Sequence, residues 1–108
     1  MSGNNRAMSD ESQIHVPPSF VALFLPPGGV KPPQPRAVIA ARYEVCEDLA
    51  QLLTDRASTI RWQHGAACAD VLGRIRSGLL SEGSGVDAAE AHWVVRRLAE
   101  LLEWDWQD

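Results

Sequence analysis

His64 and Cys68 stand four residues apart, and Cys46 and His92 lie elsewhere in the chain; all four are of the residue types that hold transition metals. Small zinc domains present two close ligand pairs, such as CxxC followed by HxxxH, and here there is one loose pair. The spacing therefore predicts no metal site. Both cysteines fall on apolar faces of expected helices, where a free thiol packs as a small hydrophobe. Nucleophilic catalysis needs a serine or cysteine held against a base and an orienting group. His15 belongs to an N-terminal segment and His64 to a helix end, and nothing resembles a nucleophile elbow or a glycine-supported oxyanion hole. No catalytic residue is expected. Glu44, Glu47 and Asp48 read as a solvated helix face that pairs with Arg42 or neighbouring arginines. The stretch PPGGVKPP contains the only lysine, Lys31, but proline removes backbone donors and no GxxxxGK[ST] sequence is present. No nucleotide or other cofactor is expected.

Two segments carry residue types suited to binding a protein. In the first, Pro17-Pro18 opens a short helix whose one face holds Phe20, Leu23 and Phe24, with Val16 just before it. That face either packs on the protein's own helices or serves as a docking peptide. In the second, LLEWDWQD, Trp104 and Trp106 alternate with acids, and tryptophan is enriched at interface hot spots. The alternative there is that Trp104 closes the core and Trp106 is a frayed end. Phe20, Leu23, Phe24, Trp104 and Trp106 are thus the candidate partner-binding residues.

Three helices must position these segments. From Pro35 onward Ile39, Tyr43, Cys46, Ala50, Leu53, Ala57 and Ile60 recur at steps of four and three, the spacing of one helical face. Val38, Val45, Leu49 and Leu52 are expected to widen that stripe. Pro35 suits the first turn, Gly65 is a natural stop, and the helix is predicted over about residues 35–62. A second helix places Cys68, Val71, Leu72, Ile75 and Leu79 on one face. It carries Gly73 and Gly78, each of which weakens a helix interior by roughly 1 kcal/mol; close approach of a neighbouring helix would explain either. A third opens at Asp87 with Glu90 three residues on, the pattern of a capping box, and buries Ala91, Val94, Val95, Leu98, Leu101 and Leu102 with Trp93 beside them.

The expected fold is all-α, a small antiparallel three-helix arrangement with a Pro-rich N-terminal segment and a disordered N-terminus. Residues 1–13 are too polar to offset ordering entropy. Residues 14–35 hold all seven prolines of the 108-residue chain and form an apolar segment with a short helix, and residues 36–108 form the helical domain. The core is modest, so docking of the Pro-rich segment or formation of a homodimer would help complete it. Net charge is −4. Charge balances over residues 1–97, so the excess belongs to Glu100, Glu103, Asp105 and Asp108. Acids at a helix C-terminus oppose its dipole, and Arg96 and Arg97 offset part of this.

No run approaches the roughly 20 apolar residues of a membrane span, and a cytoplasmic protein is expected. Helix-turn-helix DNA binding through Arg74, Arg76, Arg96 and Arg97 is the structural competitor, disfavoured by balancing acids and by the acidic tail.

The segments VPPSFVALFLPPG, PRAVIAARYEVCEDLAQLLTDRAS and WVVRRLAELLEW resemble a family of small beta-proteobacterial proteins sometimes labelled "ATPase with chaperone activity", over about residues 14–104. The resemblance implies at most association with an ATPase or chaperone, since the residues supply no ATPase site. The leading expectation is a non-enzymatic helical protein–protein interaction module, an adaptor or accessory factor.

Overall fold

The computed structural model describes residues 15–26, 28–29 and 32–105. The expected disorder of residues 1–13 lies outside them. Among the described residues all regular structure is helical: α1 (Pro18–Val21), a 3₁₀ turn (Ala22–Phe24), α2 (Arg36–His64), α3 (Cys68–Leu80) and α4 (Ala88–Leu102). Two compact units divide the chain, Met1–Glu44 and Val45–Asp108, with the boundary inside α2.

In the first unit the Pro17 carbonyl accepts from the N–H groups of Phe20 (2.9 Å) and Val21 (3.1 Å), so the Pro-Pro pair does start a helix. Phe20 is completely buried, its ring 5.6 Å from that of Phe24 and 5.7 Å from that of Tyr43, the latter edge-on. Such tilted pairs contribute about 0.5–1.5 kcal/mol beyond area burial. Tyr43 belongs to α2, so the segment packs on the chain's own helix. Pro35 lies just outside the first turn of α2 instead of within it, its carbonyl accepting from Val38 (3.0 Å) and Ile39 (3.2 Å).

In the second unit α2 from Val45, α3 and α4 form the antiparallel three-helix arrangement, with α3 and α4 the closest pair. Helix α2 ends where Gly65 turns to φ +61° and its N–H bonds the Arg61 carbonyl at 2.9 Å. Glycine reaches that left-handed geometry without the Cβ clash other residues meet. Cys46, Ala50 and Ala57 are buried, and Leu53 and Ile60 half-buried, as the periodicity predicts. Of the four residues expected to widen that stripe, Leu49 is half-buried and the other three are not. Val45 and Leu52 are exposed, as is Val38 in the first unit, because Val45 and Leu52 stand about 100° or more around the helix from Cys46.

Helix α3 buries Val71, Leu72, Ile75 and Leu79. Its glycines do not mark a close helix contact, since a Cβ at either Gly73 or Gly78 would meet nothing within 4 Å. Both are exposed. Helix α4 buries Ala91, Trp93, Val94, Val95, Leu98 and Ala99, while Leu101 and Leu102 are half-buried. The capping box is complete. Glu90 N–H donates to Asp87 Oδ1 (2.8 Å), and Asp87 N–H donates to Glu90 Oε1 (3.1 Å). At the other end Glu103 adopts φ +60°, and Trp104 N–H reaches the Ala99 carbonyl (2.9 Å) while Glu103 N–H reaches that of Glu100 (3.1 Å). This is a Schellman cap with glutamate in the place glycine usually takes.

Candidate interaction surface

Cys46 is buried in the core face of α2. Cys68, half-buried at the start of α3, accepts a hydrogen bond from Arg61 Nε at 3.1 Å. Among the described residues no group of three or more His, Cys, Asp and Glu side chains is placed to hold a metal ion.

Glu47 is not part of a solvated face. Its carboxylate receives Arg97 of α4 in a forked pair, Nε to Oε1 at 2.8 Å and Nη2 to Oε2 at 3.1 Å, and Gln51 Nε2 adds a third donor at 2.9 Å. The predicted partners of Glu47 lay close by in sequence, and the real one is 50 residues away. Arg97 Nη1 also reaches Glu100 at 3.2 Å, the expected offset to acids at the end of α4. The Arg97 hydrogen bonds hold the Glu47 carboxyl below its ordinary range against the opposing effect of burial, and Glu47 in turn raises the guanidinium. Arg97 is therefore committed to two carboxylates and is not a free contact for a phosphate backbone. Arg74, Arg76 and Arg96 are exposed.

The five expected partner-binding residues separate. Phe20 is an internal anchor with no exposed surface, and Leu23 and Phe24 are half-buried beside it. Trp104 is half-buried with the Arg61 guanidinium 5.8 Å from its ring centroid. A cation over a tryptophan face at this distance is attractive by about 0.5–1 kcal/mol at an exposed site. Arg61 thus joins the end of α2 to the first residue of α3 and to the residue beyond the cap of α4. Trp106 lies outside the described residues.

The structure also singles out Trp62, which no sequence pattern above includes, and Leu52, expected in the buried stripe. Trp62 is 87% exposed and Leu52 75% exposed, both on α2. A signal for Trp62 was present, because it follows Cys46 by sixteen residues, about 160° around the helix and so nearly opposite the buried stripe. Between α2 and α3 lies a groove of about 430 Å³, bordered by Arg56, His64 and Arg74 and floored by Leu53, Ile60 and Leu79. Among the described residues no helix is long and apolar enough to cross a membrane. Comparison of the chain with protein-family models, with curated proteins and with solved structures gave no match.

Proposed function

We propose that the protein is a cytoplasmic, non-enzymatic helical module that binds another protein, an adaptor or accessory factor. The observation that carries this reading is the outward placement of Trp62 and Leu52 on a helix whose opposite face is already buried. Single exposed apolar residues are ordinary, but a large tryptophan almost wholly in water is the residue type that anchors interfaces. The proposed contact surface accordingly moves from Phe20 to Leu52 and Trp62 of α2. The narrower role of an ATPase-associated chaperone factor rests on sequence resemblance alone.

The test is quantitative affinity capture from source cells with the full chain and with a Leu52→Ser/Trp62→Ser variant. Loss of specific proteins with the variant is expected, at unchanged helical content by circular dichroism. The same proteins captured in the same amounts by both chains would remove α2 as the binding surface. Helix-turn-helix DNA binding makes a different prediction, a salt-dependent rise in DNA fluorescence polarisation that Trp62 does not control.

A further inference from the structure

The groove between α2 and α3 combines an apolar floor with a basic rim. Arg56 and His64 project from α2 and Arg74 from α3 around a floor of Leu53, Ile60 and Leu79. Among the described residues neither Arg56 nor Arg74 makes an ion pair; Asp70 precedes Arg74 by one helical turn without bonding it. Among the described residues, two guanidiniums thus stand beside apolar surface with no carboxylate bonded to either. Gly78, on the wall formed by α3, keeps that wall low, because a Cβ there would project into open space. Its absence of side chain gives no packing benefit to the fold and costs helix stability, yet it leaves the groove open.

We propose that this groove docks an acidic segment of a partner protein, an apolar side chain seated between Leu53, Ile60 and Leu79 and flanking carboxylates meeting Arg56, Arg74 and His64. The proposal rests on the reading of the chain as an interaction module and names the chemistry of its partner. At about 430 Å³ the groove falls within the range of small-molecule pockets, about 300–1,000 Å³. Rim ion pairs add little affinity of their own, so the apolar anchor supplies binding and the arginines supply encounter rate and the rejection of basic sequences. Nucleic acid fits poorly, since its backbone offers anionic groups without the apolar anchor.

Random-peptide display on the whole chain, followed by fluorescence polarisation of the enriched peptides, tests this directly. Enriched sequences are expected to place Asp or Glu on either side of Leu, Ile, Phe or Trp. Arg56→Glu/Arg74→Glu is expected to weaken them by about tenfold or more and to redirect selection toward Lys and Arg. Gly78→Leu fills the groove from a position where the fold tolerates a side chain, and is expected to abolish binding while leaving the protein at least as stable. Peptides that bind both variants as tightly as the parent would overturn the groove and leave the interaction module standing. If no peptide is enriched, and the Leu52/Trp62 variant also captures the same proteins as the parent, both readings fall. Concentration-dependent dimerisation in sedimentation equilibrium that Gly78→Leu abolishes would assign the groove to a second copy of the chain and overturn the proposal.

Discussion

Helix α4 buries Val94, Val95 and Leu98 completely and is closed at both ends by hydrogen-bonded caps, whereas α2 turns Val45, Leu52 and Trp62 outward along much of its length. Both helices are amphipathic in sequence. The difference is that α4 matches one apolar face to one packing surface, while α2 carries apolar residues around more of its circumference than its neighbours cover. A helix of the first kind is held by the fold, and apolar residues in excess of that need, as on α2, are available to a partner.

The sharpest way to break this comparison is a leucine truncation on each helix. Leu98→Ala is expected to cost about 2–5 kcal/mol in urea unfolding, from lost transfer energy and a residual cavity. Leu52→Ala is expected to stay within about 0.5 kcal/mol of the parent. Equal losses at the two positions would mean that Leu52 is packed, and α2 would lose its claim to a binding face.

The end caps come next in size. Asp87→Ala removes an acceptor from the Glu90 N–H and strands the reciprocal bond, with an expected loss of about 1 kcal/mol in the same assay. Glu103→Gly works in the opposite direction. It relieves a left-handed backbone and removes an acid from the negative end of the helix dipole, for an expected gain of about 0.5 kcal/mol after the added flexibility of the unfolded chain is deducted.

The Glu47–Arg97 pair contributes an effect of similar size to the caps, and pH isolates it. Glu47 titrates lower in the folded protein than in the unfolded chain, so its stabilisation is fully present above the ordinary glutamate range and is lost as pH falls through its folded-state value. Parent and Glu47→Gln should therefore differ by about 0.5–1 kcal/mol at neutral pH, given partial solvent screening, and converge in acid. A constant offset across the range would assign the effect to packing of the side chain and not to its charge.

What was legible in the sequence was local. The Gly65 stop, the Asp87 and Glu90 box and the core faces of α3 and α4 depend on residues within a few positions of one another, and each is seen where periodicity and capping chemistry put it. The outer limit of the α2 stripe was not legible, because the width of a buried face depends on what packs against it. Glu47 illustrates the same limit for charge: its partner comes from another helix, and no spacing rule points there. In the candidate site, His64 and Arg74 stand out in the sequence only for other chemistries, and with Arg56 they become a set only when α2 and α3 lie together. Gly73 and Gly78 misled for a related reason, since a glycine in a helix can signal crowding or its opposite.

The Glu47–Arg97 bond, closed across 50 residues, also bears on the order of assembly. The α3–α4 pair is joined by a short connection and its contacts form at little entropic cost, whereas the Glu47 contact requires a far larger loop to close. It is therefore expected to form on the late side of the folding barrier. Removing it should leave the folding arm of a chevron plot almost unchanged and raise the unfolding rate, so the pair is expected to act on how long the protein stays folded more than on how fast it gets there.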